Sequence, residues 1–411
     1  MKNKKEILII LLIQITEVLG FSLVLPFLPY MAQDLGASPL TVGLILTSFS
    51  LLQFISAPIM GKLSDRFGRK PLLVISQIST MVSFVILGFA KSLPLIFLSR
   101  IVDGALGSNF TIAQAVLADL STKKDRSRIF GIGGMAFGFG FLVGPVLGGT
   151  LAKFSYSLPA YLAAGISFLT ILMTVFFLPE TLRKRKSPLL PRTAGESGVT
   201  EIHHSEQNKI KIIDWASTKN FFASFPTGII LTQLFFYFLA HAIFQGSFSL
   251  FARGKLNLET DQVGYLLGFI GLTNIIIRGG LLGKLIKLFG EEKLRFWGMI
   301  LTALGLSFFP VAWNFKSLLT ITTLFALGNG LARPFMTGAI SRSVSDSKQG
   351  EVMGVTSSLG SLSRIIGPLV GGITLTSLPV FWLGIIGGGL MGIALFFYYR
   401  EKNTLKLQSS G

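Results

Sequence analysis

Charge is the first thing this chain has little of. Only 14% of its 411 residues are charged, against about 25% in a soluble domain. That is too little to cover a water-facing surface. Cysteine is absent altogether, which excludes disulfides, thiol chemistry and cysteine-ligated metal. Histidine occurs three times, and His203 and His204 sit side by side in a polar stretch. No acid/base pair stands at metal-ligand spacing. No Gly-x-x-x-x-Gly-Lys-Ser/Thr loop occurs, so ATP-driven work has no local support. No cofactor and no metal is expected, and an enzyme or a receptor without transport is the weaker reading.

Hydrophobic residues, by contrast, make up half of the chain, and the mean hydropathy is +0.66. Apolar runs of about 20 residues cross a bilayer as helices. Twelve are present, at 7–30, 41–61, 71–90, 94–118, 129–152, 159–179, 226–251, 262–283, 294–313, 317–337, 352–375 and 380–399. Pro71, Pro94, Pro159 and Pro226 stand near helix starts, where a missing N–H does no harm. The expected architecture is an all-α membrane protein of two six-helix halves, 1–180 and 226–400. A polar linker over 181–225 joins them, and a tail over 401–411 follows. The linker composition reads as partly disordered. The opening Met-Lys-Asn-Lys-Lys imitates a signal peptide, but the apolar run is too long and lacks a cleavage site, so it reads as a retained first helix.

A formal net charge of +18 raises the question of nucleic acid. Its distribution answers it. With the N-terminus inside, the outer loops hold only Lys91, Lys153, Arg253, Lys255 and Lys316 of 37 Lys and Arg, and most others fall in inner loops and tails. That asymmetry is a topology signal, with anionic headgroups as a secondary partner. Both termini are expected in the cytoplasm, and nucleic acid is not expected as a partner.

The halves repeat. GKLSDRFG at 61–68 returns as GKLIKLFG at 283–290, and GPVLGG at 144–149 returns as GPLVGG at 367–372. Gly107 and Gly330, and Gly131 and Gly354, share the offset of the Gly-Pro pair, one residue longer than that of the first pair. Several matches at one offset indicate a duplicated six-helix unit. Two halves related along the membrane normal resemble the major facilitator fold, whose substrate site lies between the halves near mid-bilayer and whose access alternates. Gly134 and Gly138, and Gly140, Gly144 and Gly148, are spaced four apart, which lets helices approach closely.

The motifs narrow the resemblance. GKLSDRFGRK (Gly61 to Lys70) resembles the signature loop between helices 2 and 3 of major facilitator transporters. GFGFLVGPVLGG, RIVDGALG and EVLGFSLVLP resemble the helix 5, helix 4 and helix 1 motifs of the drug/proton antiporter branch, nearest to tetracycline-type exporters. LPET (Leu178 to Thr181) ends helix 6 as it often does there. QGEVMG (Gln349 to Gly354) and SLSRIIGPLVGG (Ser361 to Gly372) carry the second half. The resemblance implies a proton-coupled exporter of lipophilic small molecules in the cytoplasmic membrane. A symporter or facilitator for a sugar or an organic acid is the alternative. Small molecules, protons and lipid are the expected partners, and one chain is expected to work alone because two halves complete a pathway. The chain departs from the branch in four places. It has Glu17 where an aspartate is usual, Ser83 and no acid in helix 3, Asp103 where glutamine is usual, and Lys287 in the second-half position matching Asp65.

The charges deep inside the spans are few: Glu17, Asp103, His241, Arg100, Arg278, Arg333 and Arg364. A charge at mid-bilayer costs about 2.5–3.5 kcal/mol on insertion scales and marks a candidate site. Burial raises a carboxyl pKa and a nearby arginine lowers it. Glu17 is therefore read as the proton-coupling carboxyl, with a purely structural acid as the alternative. The resemblance implies that Arg100 tunes Glu17. Arg100 and Asp103 share a helix face, so Asp103 is either a second proton site or a local ion-pair partner.

In the loop, Gly61, Asp65, Arg66, Gly68, Arg69 and Lys70 read as a gate. Gly61 and Gly68 permit tight turns. Asp65 is expected to pair at a helix N-terminus of the facing half, and Arg69 with Asp119. The resemblance implies that these contacts close the cytoplasmic side, and that Gly144, Pro145, Gly148 and Gly149 belong to the moving helix 5. Candidate substrate contacts are Gln53, Asn109, Gln114, Phe236, His241, Phe244 and Gln245, the last four on the aromatic stretch Gln233 to Phe251. Lipid-facing phenylalanine is the alternative for that stretch. His241 stands between titration near neutrality and a plain interhelical hydrogen bond. Arg333 and Arg364 stand between an anionic substrate and helix ends.

Overall fold

A computed structural model describes residues 4–120, 126–182, 215–345 and 348–410, and every element among them is helical. The first half comprises α1 (Lys4–Val24), α2 (Leu28–Asp34), α3 (Pro39–Phe67), α4 (Arg69–Phe89), α5 (Leu93–Leu106), α6 (Asn109–Leu120), α7 (Arg126–Ala152) and α8 (Ser157–Phe177). The second comprises α9 (Trp215–Ala223), α10 (Thr227–Leu256), α11 (Thr260–Ile275), α12 (Leu282–Phe289), α13 (Glu291–Phe308), α14 (Phe315–Arg342), α15 (Gln349–Ser377) and α16 (Trp382–Ser410). Eleven helical stretches are long and apolar enough to cross a membrane, and α7 contributes a shorter described apolar stretch, Gly138–Ala152. The chain is a multi-pass membrane protein with the twelve-helix pattern. Residues 183–214 of the segment read as a linker lie outside the described residues.

Two spans are not the continuous helices that hydropathy suggests. The span read as 94–118 breaks between α5 and α6. Gly107 N–H reaches Asp103 O at 2.6 Å and Ser108 N–H reaches Leu106 O at 2.8 Å, closing a tight turn. Gly, Ser and Asn weaken a helix interior because they favour turns and caps, and here all three are consecutive. The span read as 262–283 passes through a π-helical turn, Ile276–Leu281, that carries Arg278 before two glycines. Such turns are frequent at functional positions.

The repeated Gly-Pro motifs show why the halves fit. A Cβ on Gly144 or Gly148 would meet Ser22 Oγ or Leu23 O of α1 at 1.9 Å, and one on Gly149 would meet Thr260 O, at the start of α11 in the other half, at 2.3 Å. In the repeat, Gly367 and Gly371 press on Ala242 and Ser247 of α10, while a Cβ on Gly372 would meet Pro39 O, at the start of α3, at 2.7 Å. Each motif packs two glycines within its half and one across the divide. Backbone approach this close is available only to glycine.

The cross-half seams, α7 on α11 and α3 on α15, hold one end of the molecule shut. Along them Thr47 Oγ1 donates to Ile365 O at 2.9 Å, Leu40 N–H to Thr376 Oγ1 at 3.0 Å and Thr260 Oγ1 to Gly149 O at 2.9 Å. At the rim Tyr30 OH donates to Leu258 O at 2.7 Å, Arg253 pairs with Asp34, and Lys153 bridges Glu259 at 2.9 Å and Asp261 at 3.5 Å. The hydrogen bond to Glu259, then the nearby Asp261, holds the Lys153 ammonium above its ordinary range. A raised pKa means that this contribution to sealing is complete at neutral pH and lost only as pH rises through it. Toward the other end, a Cβ on Gly279, Gly280, Gly283, Gly350 or Gly354 would meet nothing within 4 Å. Among the described residues, the cross-half hydrogen bonds and ion pairs all lie nearer the sealed end, and the halves leave a vestibule open at the end that carries Lys4 and the C-terminal part of α16.

The second half hides an ion pair that hydropathy passes over. Arg295 and Glu401 are buried, with Arg295 Nη2 2.7 Å from Glu401 Oε2, and Gln233 Nε2 donates to the same oxygen at 2.8 Å. Glu401 opens the segment read as tail, yet α16 continues through it. Removing one partner of a buried pair typically costs 3–5 kcal/mol. Arg295→Met is expected to lower the unfolding temperature of the detergent-solubilised protein by several degrees, and Arg295→Met with Glu401→Met to recover most of that loss.

Candidate functional site

The acid of α1 is held by the broken helix. Asn109, the first residue of α6, donates from Nδ2 to Glu17 Oε2 at 2.6 Å and to Thr80 Oγ1 at 3.0 Å. Thr80 in turn donates to Asp103 Oδ1 at 2.8 Å, and Asp103 Oδ2 lies 3.7 Å from Arg100 Nη1. Arg100 Nη2 donates to Ser83 Oγ at 3.0 Å and Ser99 Oγ at 2.9 Å, and its guanidinium lies over the Phe84 ring. One chain of contacts thus runs Glu17, Asn109, Thr80, Asp103, Arg100. The break at Gly107 makes it possible: a Cβ there would meet Asp103 O at 2.3 Å and Asp103 Oδ1 at 2.5 Å. A continuous helix would carry Asn109 past Glu17.

The two acids differ. Asp103 and Arg100 are buried and paired, whereas Glu17 is half-buried. Asn109 satisfies Glu17 Oε2, and Glu17 Oε1 has no partner. Asn109 Oδ1 and both polar atoms of the neighbouring Gln77 are likewise buried without partners. Unpartnered buried polar atoms are costly, and a group of them around one carboxyl is fit to accept a proton or a polar ligand atom. Arg100 does not reach Glu17. The direct tuning contact is replaced by a relay through Asp103, Thr80 and Asn109.

The loop between α3 and α4 makes its contacts within the first half. Arg69 Nε donates to Asp119 Oδ2 at 2.9 Å and Nη1 to Ser64 Oγ at 2.7 Å, and Arg69 Nη2 pairs with Asp65 at 2.6 Å. Asp65 thus pairs with the first residue of α4 instead of reaching across to the facing half. Gly68 adopts φ +110°, which admits little but glycine. Glu180, in the LPET motif, accepts from the N–H groups of Arg69 at 2.9 Å and Lys70 at 3.1 Å and so caps α4. Lys70 Nζ donates to Val175 O, and Arg66 lies over Phe67. Gly61 makes no turn: α3 runs on to Phe67, so Gly68 is the one non-helical residue of the stretch read as a loop, and a Cβ on Gly61 would only brush Thr111. Glu180→Ala is expected to uncap α4, a loss of about 1–2 kcal/mol by general N-cap values, measurable as faster proteolysis near Gly68 with the rest of the chain intact.

The remaining candidates divide. Gln53 donates to Gly107 O at 3.5 Å, beside the break, and Gln114 on α6 has a buried unpartnered Oε1. His241 and Gln245 on α10 are half-buried, and His241 rests against Phe325. Phe244 is packed in the core with Phe248, Phe309 and Phe325, and Phe236 stacks on Phe397 of α16. Neither of these two phenylalanines faces the vestibule in this conformation. Beside His241, Tyr237 OH donates to Asn329 Oδ1 at 2.5 Å, and Arg278 Nη2 donates to Asn329 O at 3.2 Å. Sequence reasoning missed Thr80, Gln77, Glu180 and the Tyr237–Asn329 pair. Gln77, Thr80 and Ser83, spaced three apart on α4, were the available signal for a polar helix face.

Known proteins resemble this chain over nearly its whole length. The family model described as Major Facilitator Superfamily matches residues 10–312 and 230–411. "Tetracycline resistance protein, class H" of Pasteurella multocida is 27% identical, covering 98% of this chain and 98% of that protein. "Multidrug resistance protein 2" of Bacillus subtilis (strain 168) is 29% identical over 98% of this chain and 97% of the relative. Among solved structures, the human organic anion transporter MFSD10 (TETRAN) superposes with a TM-score of 0.68 at 21% identity, over 97% of this chain and 99% of that one. At that identity the likeness is one of fold.

Proposed function

The chain belongs to the Major Facilitator Superfamily, and from that premise we propose that it is a proton-coupled antiporter exporting lipophilic small molecules from the cytoplasm by alternating access. The observation that carries the reading is Glu17, a carboxyl inside the first span that Asn109 holds by one oxygen while the other is buried without a partner. That oxygen arrangement leaves Oε1 to take a proton from one side and release it to the other. Relatives named for tetracycline and multidrug resistance support the export of drug-like compounds. The seal at one end and the open vestibule at the other support an alternating cycle, and this conformation is its inward-facing limb. The distribution of Lys and Arg supports a cytoplasmic membrane with both termini inside. A single chain supplies both walls of the vestibule, which supports a monomeric working unit. Asp103 is engaged by Arg100 and Thr80 while Glu17 Oε1 has no partner, and this supports Glu17 as the main proton site with the Arg100–Asp103 pair as its fixed support.

The test is gradient-driven transport. Full-length protein in vesicles, given an imposed proton gradient, is expected to move a fluorescent lipophilic compound uphill, and an uncoupler is expected to stop it. Uphill transport that persists with the gradient collapsed would contradict proton coupling.

A further inference from the structure

The second half carries positive charge at mid-depth that no described carboxylate pairs with. Arg278 lies on the π-helical turn after α11, Arg333 on α14 and Arg364 on α15. Each stands about 13–18 residues from the sealed end of its helix, or roughly 20–27 Å at 1.5 Å per residue, so all three lie at mid-depth. All three side chains are exposed. Arg333 acts electrostatically on Arg278 and Arg364, and all three act on His241 of α10. Charges on three helices that converge on a fourth face the space those helices enclose. Among the described residues, no carboxylate lies within ion-pair distance of any of them. Their contacts are Asn329 O for Arg278, Ser361 Oγ at 3.0 Å for Arg364, and the Phe238 ring, 6.0 Å away, for Arg333. The described acids of this half stand near the ends of their helices: Glu259 and Asp261 at the sealed rim, Glu291, Glu292, Glu351 and Glu401 toward the other end. In the first half, Asp103 is engaged by Arg100 and Thr80.

Three unpaired guanidinium groups at mid-bilayer are held at a cost that an anionic ligand would offset. Guanidinium matches carboxylate and sulfonate oxygens with directed, charge-assisted hydrogen bonds. Phe238 and His241 supply flat surfaces beside the charge. We propose that this cluster is a binding site for an amphipathic aromatic anion, its carboxylate on Arg278, Arg333 and Arg364 and its ring against Phe238 and His241. The depth separates the site from lipid headgroups. This rests on the export reading above and names its substrate class. A lipophilic cation is repelled by the same wall.

The test uses a matched pair of probes, 2-naphthoate and 2-naphthylmethylammonium, in equilibrium binding to the purified full-length protein. Naphthoate is expected to bind more tightly than the ammonium compound. Each of Arg278→Gln, Arg333→Gln and Arg364→Gln is expected to weaken naphthoate by about tenfold or more, in keeping with loss of a charged hydrogen bond, without weakening the ammonium compound. The corresponding lysine variants, which keep the charge, guard against misfolding and should lose less. Naphthoate binding that ignores all three substitutions, or tighter binding of the ammonium compound, overturns the site. Proton-driven efflux of both probes from vesicles separates the two readings. Arginine-dependent naphthoate binding without driven efflux keeps the site and overturns the exporter. Driven efflux of the ammonium compound alone keeps the exporter and overturns the anion site.

Discussion

Glu17→Gln abolishes uphill transport and leaves downhill exchange running: that is the expected result for the residue at the centre of the chain of contacts. Each pH unit of gradient is worth 1.36 kcal/mol per proton exchanged. A gradient of about two units therefore supports about 100-fold accumulation of an uncharged substrate per coupled proton. The variant should fall to an inside-to-outside ratio of one. Glutamine keeps the size of the side chain and still offers an oxygen to Asn109 Nδ2, now 2.6 Å from Glu17 Oε2, so the relay to Thr80 survives. It cannot exchange a proton. Counterflow of substrate between equal pools needs no proton and should continue. Asp103→Asn separates the two acids. It leaves Arg100 buried without its counter-charge, so its main expected effect is lower stability and yield, since an unpaired buried charge costs several kcal/mol. If Glu17→Gln accumulates substrate as wild type does, the proton site lies elsewhere.

The second large effect comes from the glycines that cross the divide. Gly372→Leu and Gly149→Leu are expected to stop the sealed end from closing. Their first side-chain atoms would lie 2.7 Å from Pro39 O and 2.3 Å from Thr260 O, both backbone atoms that cannot swing aside. Close-packed interfaces do not absorb such a change by small shifts. Each half keeps its own core, because the nearest atoms a side chain would meet at these two positions belong to the other half. The expected product is a folded protein biased toward parting at the sealed end and unable to complete its cycle. The absence of cysteine makes the readout clean. Thr47 is buried in the α3–α15 seam and donates to Ile365 O. A single Thr47→Cys should react slowly with a membrane-impermeant thiol reagent. Adding Gly372→Leu should speed it by about tenfold or more, as a shift of about 1.4 kcal/mol in the open population would give. Unchanged reactivity with normal transport would mean that the seam tolerates a side chain and is no gate.

Much of the architecture was legible in the sequence because hydrocarbon imposes one strong rule. Each span must be apolar for about 20 residues, and the paired GPVLGG and GPLVGG segments located the duplication before any helix was placed. The same rule hid the two irregular spans. Hydropathy sums over Gly107, Ser108 and Asn109 without registering that their shared preference for turns breaks the helix. It also counts Arg278, Gly279 and Gly280 as one charge and two neutral residues, not as a change of helical pitch. The charged candidates were visible because a charge in an apolar run is conspicuous. Their partners were not. Thr80 and Gln77 are ordinary in composition, and only the packing of α6, beyond the break, against both α1 and α4 brings them to Glu17. Direct contact of Arg100 with Glu17 failed for the same reason: sequence shows which residues share a span, not which intervene between helices. Phe236 and Phe244 were indistinguishable from vestibule-lining aromatics until the helix rotation of α10 turned one toward α16 and the other into the core.

The most direct measurement is proton movement caused by substrate. Full-length protein is placed in vesicles that enclose a pH-sensitive dye, with no gradient across the membrane and the potential clamped. A lipophilic substrate is then added to one side. Protons are expected to move in the direction opposite to the substrate, at a fixed ratio, and Glu17→Gln is expected to move substrate with no change in dye signal. Substrate entry in wild type without proton movement, or proton movement unaltered by Glu17→Gln, would contradict coupling through this carboxyl.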